Sequence, residues 1–191
     1  MKIGFLSSIS EWIAKNSSGK NIFLFTLASI LISGSMQFLE QLTPVPSGQS
    51  LPLKMDFRPF SSAKDTIEVF GFYGEVGRSL YFWQDVLDMF LPIAVGLMIG
   101  SFYSRVALYW KLPVLFNLLP FGFLVFDWIE NSLMFYFLYS WPMVSEPLAL
   151  FTGKITAIKL MFVFIGYGML IVCLLALCFR FFKGKFKESK E

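Results

Sequence analysis

Apolar residues recur through this chain in two distinct patterns. Near the start, Ile3, Phe5, Leu6, Ile9, Trp12 and Ile13 fall on a helical period, with Lys2, Lys15 and Lys20 around them. That spacing predicts an amphipathic helix lying in a membrane interface. Beyond it come four apolar runs, each near the roughly 20 residues a helix needs to cross a bilayer. They are predicted at 22–39, 81–105, 112–139 and 155–179. A cleaved signal peptide competes for the first run, because Ser33-Gly34-Ser35 places small residues near its end. The long leader, with its own apolar stripe, favours retention.

Between the first two runs, residues 40–80 turn polar and are predicted as a long extracytoplasmic loop. Pro44, Pro46, Gly48, Pro52 and Pro59 keep its first half extended. Ser61-Ser62-Ala63-Lys64-Asp65 then reads as a capping signature opening a helix through Ile67, Phe70 and Phe72. Gly71, Gly74 and Gly77 are expected to end it. This loop is the one extramembrane feature large enough for a lid or docking surface. Pro92, Pro113 and Pro120 are expected to bend the second and third spans, and no internal repeat is visible. The fold class is therefore all-α: a polytopic four-helix transmembrane bundle forming one domain, 1–191.

Composition agrees with that reading. Of 191 residues, 56% are hydrophobic and 19% aromatic, and mean hydropathy is +0.65. Charged residues are 15%, against about 25% in soluble domains. A disordered chain, a nucleic-acid binder and an ordinary cytosolic enzyme are excluded. Histidine is absent, and with it the commonest general base and metal ligand. Cys173 and Cys178 are five apart and form no C-x-x-C pair, so they read as small core or lipid-facing residues. Nothing in the chain resembles a P-loop, a Ser-His or Cys-His arrangement, or a zinc signature, and no cofactor is expected.

Lys and Arg set the orientation. The leader, the Arg105–Lys111 connection and the tail (Arg180, Lys183, Lys185, Lys187, Lys190) are basic, whereas residues 40–80 mix both signs. Both termini are expected in the cytoplasm, in a bacterial inner membrane, with Trp83, Trp110 and Trp141 at the interfaces.

A charge at the bilayer centre costs at least about 2.5–3.5 kcal/mol, so ionisable groups inside spans are the informative ones. The second span carries Asp85 and Asp88, and the fourth carries Lys159. In the third, Asp127, Glu130 and Asn131 share one helix face. At the helical rise, Asp88, Glu130 and Lys159 fall within roughly two turns in depth, with Arg78 at the rim above. Gln37 and Glu40 are placed to complete that rim, and Asp85 reads as a solvated end charge. The charges do not cancel if all are ionised, so a proton or a cationic ligand must make up the difference.

Two stretches carry a resemblance. Gly74-Glu75-Val76-Gly77-Arg78-Ser79-Leu80-Tyr81 resembles a G-x-x-G-R-x-x-Y segment leading into a span bearing an aspartate and a proline, here Asp88 and Pro92. Asp127-Trp128-Ile129-Glu130-Asn131 resembles a D-x-x-E-N core, followed by Lys159 in the last span. Together, over about Met55 to Lys159, they are similar to a group of uncharacterised small four-span membrane proteins, mostly bacterial. The resemblance implies a four-helix membrane fold and brings no activity.

Three functions remain open. The first is an outward-facing acidic pocket, formed by Asp88, Asp127, Glu130, Asn131, Lys159 and Arg78, that binds a polar or cationic ligand, a lipid headgroup or an ion. The second is a non-catalytic accessory subunit of a larger membrane complex, or a homo-oligomer. The third is a lipid- or sterol-modifying enzyme with paired carboxyls. Against all three stands a purely structural network tying three helices together. The Phe abundance reads as core and lipid-facing filling, or as a pocket for a lipid or isoprenoid.

Overall fold

In a computed structural model, which describes residues 4–188, the chain is all-helical among the described residues. Lys2 and Ile3 of the leader and Lys190 of the tail lie outside them. The elements are α1 (Phe5–Lys15), α2 (Gly19–Gln41), α3 (Ala63–Asp88), α4 (Leu91–Trp110), α5 (Phe121–Ser140) and α6 (Glu146–Glu188). Four helical stretches, 19–41, 63–110, 114–140 and 146–181, are long and apolar enough to cross a membrane.

Helix α1 turns Ser10 and Ile13 inward and leaves Phe5, Leu6 and Trp12 exposed. It is tied to the bundle by polar contacts: Asn117 Nδ2 donates to Ser10 O at 2.9 Å, and Arg105 Nε donates to Ser17 O at 2.6 Å. Ser18 caps α2, which packs against α3 and α4. Ser29 is the one buried residue of α2 among the described residues.

The predicted 40–80 loop is shorter than expected. Only 42–62 lies outside the long helices, interrupted by a 3₁₀ turn at Met55–Phe57. The capping box forms as predicted, Asp65 Oδ2 accepting from the Ser62 amide at 2.7 Å. The glycines do not end the helix. At φ 61°, ψ −172°, Gly74 takes a conformation that favours glycine and kinks α3, which then continues to Asp88. Gly77 supports this course by lying where an added Cβ would meet Tyr73 at 3.0 Å and Thr43 at 3.1 Å.

The second span is likewise two helices rather than one. Proline has no amide to donate to residue i−4, and its ring crowds that carbonyl. Pro92 accordingly sits in the first turn of α4, and the helix stops at Asp88. The Met89 carbonyl freed by the break accepts from Trp128 Nε1 of α5 at 2.8 Å. A further correction concerns span three, which begins as a 3₁₀ turn (Val114–Leu118) between Pro113 and Pro120.

Helix α6 starts nine residues before the predicted 155, and its early turns serve α3. Glu146 Oε2 accepts from the Ala63 amide at 2.9 Å, next to the start of α3. Gly153 O accepts from the Phe60 amide at 2.8 Å, holding the end of the 42–62 segment on α6. At Gly122 an added Cβ would fall 2.3 Å from Phe162, which fixes a close approach of α5 and α6.

Candidate functional site

Three helices and one loop bring their charges to a common place. On α3, Tyr81, Gln84, Asp85 and Asp88 recur at i, i+3, i+4 and i+7, which puts them on one face. Asp127, Glu130 and Asn131 share a face of α5, and Thr152, Thr156 and Lys159 a face of α6. All of these side chains are buried. The fourth contributor is the 42–62 segment, which folds back over the bundle so that Lys54 and Asp56 are buried as well.

Lys159 is the hub. Its Nζ pairs with Glu130, lies 3.5 Å from Asp127 Oδ1 and 4.0 Å from Asp56 Oδ1. Thr156 donates to Glu130 from one turn earlier on α6. Asn131 Nδ2 donates to Asp127 Oδ2 at 3.1 Å. The second cation, Lys54, stands 3.3 Å from Asp56 Oδ2 and 3.8 Å from Asp85 Oδ1, and 4.3 Å over the Tyr81 ring. Tyr81 OH donates to Asp56 Oδ2 at 3.1 Å and accepts from the Met55 amide at 3.2 Å. One loop turn is thus pinned to α3 by a hydroxyl and an ammonium.

Electrostatics explain why Lys54 and Asp56 stay ionised when buried. Burial alone would push the Asp56 carboxyl up. Lys54, Lys159 and the hydrogen bonds from Lys54 and Tyr81 outweigh it and hold Asp56 below the ordinary aspartate value. Burial would likewise lower Lys54, but Asp56, Asp85 and Asp88 hold it above the usual lysine value. The cluster as a whole sets five carboxyl groups (Asp56, Asp85, Asp88, Asp127, Glu130) against two ammonium groups.

Beside the cluster lies a cavity of about 360 Å³, within the range of small-ligand sites. Lys54, Asp56, Gln84, Asp88, Asp127 and Lys159 line its polar end. Gln37 and Glu40 of α2 also line it. Its other wall is apolar, with Leu91, Val95, Phe123 and Val163. Three polar atoms of its lining residues, Asp56 Oδ1, Gln84 Nε2 and Asp127 Oδ1, make no hydrogen bond, although the two carboxylate oxygens lie within ion-pair reach of Lys159. No lysine or arginine among the described residues comes within ion-pair distance of Asp88.

Of the six residues expected at the site, the structure brings five together. Asp88, Asp127 and Lys159 face the cavity, while Glu130 and Asn131 stand behind them. Arg78 is apart. Its guanidinium lies 3.9 Å from the Trp141 ring and donates to Phe70 O at 3.1 Å. Asp85, expected as a solvated end charge, is fully buried, because the 42–62 segment covers it and supplies Lys54.

Sequence reasoning missed Lys54, Asp56, Tyr81, Gln84 and Thr156. The four-residue face of α3 was a readable signal for Tyr81 and Gln84. Lys54 and Asp56 had none, since two charges in a proline-rich loop read as solvated. Among protein families, curated proteins and solved structures, none matches this chain.

Proposed function

We propose that this chain is an integral membrane protein whose acidic cavity binds a polar or cationic ligand. The observation that carries the reading is Asp88: a buried carboxyl on the wall of a cavity, with no lysine or arginine among the described residues within ion-pair distance, although Lys54 and Lys159 share that wall. Lys54 and Lys159 are already occupied by other carboxylates. A positively charged group in the cavity would face Asp88 and share the Asp127 carboxylate with Lys159. Among the described residues no three acidic or thiol side chains converge as metal ligands. An ammonium would bring its own hydrogen-bond donors to the carboxylate oxygens of the cavity.

The Lys/Arg distribution supports placing the cavity towards the extracytoplasmic face, with the 42–62 segment as its cover, and the resemblance to mostly bacterial four-span proteins supports a bacterial inner membrane. The exposed Phe5, Leu6 and Trp12 of α1 suit a helix lying in the cytoplasmic interface.

The test is ligand-dependent thermal stabilisation of the protein in lipid nanodiscs, with butylamine and tetramethylammonium as probes. A ligand at about 100 times its Kd adds about 2.7 kcal/mol of stability. Butylamine should raise the melting temperature of the wild type, and tetramethylammonium, which has no N–H to donate, should raise it less. Asp88→Asn, Asp127→Asn and Glu130→Gln should abolish that rise while the protein still inserts and purifies. If the wild type does not respond, the reading fails. If the variants fail to insert, the cluster is a structural network.

A further inference from the structure

The polar cavity does not end at its apolar wall. A second space of about 360 Å³ continues from it along α2, lined by Thr26, Ser29, Ile30, Gly34 and Met98. The two share Ser33, Gln37, Val95 and Tyr167, so they form one groove between α2, α4 and α6. On α2, Thr26, Ile30, Ser33 and Gln37 follow at i, i+4, i+7 and i+11, a single helix face. From Thr26 to Gln37 the groove runs about 16 Å at the helical rise. That is close to half of a hydrocarbon core about 30 Å thick, the depth of one leaflet.

The groove has opposite chemistry at its two ends. One end holds Asp88, Asp127 and the unpartnered Nε2 of Gln84, together with Lys54 and Lys159, whose charges are paired with Asp56, Asp127 and Glu130. The other is apolar apart from Thr26 and Ser29, whose hydroxyls are spent on the carbonyls of Ile22 and Phe25. A water-soluble cation would use the first end and leave the second empty. Only an amphiphile fills both. The wall formed by α2 packs on α3 and α4 with Ser29 as its one buried residue among those described.

We infer that the ligand is a single-chain membrane amine, its ammonium at Asp88 and Asp127 and its alkyl tail lying in the groove between α2, α4 and α6. This rests on the acidic cavity being a cation site. It adds the tail, its path, and lipid as the phase from which the ligand comes. Gln84 Nε2 then has a use as donor to a hydroxyl or similar acceptor beside the amine.

The experiment is photo-crosslinking of the full chain in phosphatidylcholine nanodiscs with hexadecylamine carrying a mid-chain diazirine, mapped by peptide mass spectrometry. Label should concentrate on Ile30, Ser33, Gly34, Val95 and Met98. Asp88→Asn should reduce it by at least about ten-fold, as loss of one partner of a buried charge pair does. Hexadecanoic acid carrying the same diazirine should not label the groove. Gly34→Phe is a second variant: an added Cβ there meets nothing within 4 Å, so a ring can fill the groove without touching the acidic end. It should abolish groove labelling and leave stabilisation by butylamine unchanged. Label scattered over the exposed Phe23, Leu31 and Val172 would overturn the tail path while butylamine binding stood. Equal groove labelling by the acid and the amine would reduce the groove to a general lipid slot and also overturn it. Failure of butylamine itself would remove the cation site beneath both.

Discussion

Lys54 Nζ lies 3.8 Å from Asp85 Oδ1, joining a loop residue to a fully buried carboxyl of α3. Neither oxygen of Asp85 makes a hydrogen bond, so Lys54 is what keeps that carboxyl tolerable. Removing one partner of a buried pair costs about 3–5 kcal/mol. Lys54→Met is expected to destabilise by about that much, and Asp85→Asn added to it should recover part of the loss. Chemical denaturation in detergent of the two single variants and the double variant measures both. A cost for Lys54→Met below about 1 kcal/mol, the range of exposed pairs, would mean that the loop is not docked.

Docking of the 42–62 segment should resist pH across the neutral range. Asp56 is held below its ordinary value, about 3.9 when unfolded. Its contribution is therefore present above about pH 3.9 and lost as pH falls through the lower folded value. Lys54 is held above its ordinary value of about 10.4. Its contribution is present below about pH 10.4 and lost as pH rises through the higher folded value. Hydrogen exchange of amides 51–58, corrected for intrinsic rates, should show constant protection between about pH 5 and 9. Opening with a midpoint inside that window would contradict the pairing.

Lys159 faces three carboxylates, so its removal should exceed the loss of any one of them. Lys159→Met is expected to cost at least about 3–5 kcal/mol, and Glu130→Gln in that background should return only part of it, because Asp127 and Asp56 remain. Full recovery in the double variant would show that Glu130 is the only partner that matters. Unfolding midpoints of the variants decide between these outcomes.

Two glycines should tolerate no side chain. At Gly153 a Cβ would fall 2.5 Å from Ser61 N and 2.9 Å from Phe60 Cα, both backbone atoms of the docked segment. At Gly74 the backbone is one that alanine adopts only with strain. Gly153→Ala and Gly74→Ala are each expected to cost about 1–3 kcal/mol. Gly153→Ala should also expose Lys54 and Asp56, read as faster proteolysis within 42–62. Gly34→Ala, with open space around it, is the neutral control.

Hydropathy made the helical class and the four apolar stretches legible, because crossing length and lipid-like composition are properties of single segments. The convergence of Asp88, Asp127, Glu130 and Lys159 was legible too, since depth follows from residue counts along a rod. What failed was decided by contacts that run length and depth do not encode. Gly74 was read by propensity as a stop, yet packing continues α3 through it. Pro92 was read as a bend, yet it divides the span and leaves Asp88 at a helix end. Arg78 has the right depth for the site, but its side chain goes to Trp141. Lys54 and Asp56 lie outside every span, and only the return of their loop makes them interior.

Asp88, Asp127 and Glu130 are all synthesised before the lysine of α6 that faces Asp127 and Glu130. On the proposed membrane reading, the first three stretches therefore reach the bilayer carrying Asp127 and Glu130 while the lysine that pairs with them is still in the ribosome. At about 2.5–3.5 kcal/mol for each unpaired charge, that intermediate is a poor resident of lipid. A chain ending before Lys159 should be held at the insertion machinery and handed to quality-control proteases, making the arrival of the last helix the step that licenses release.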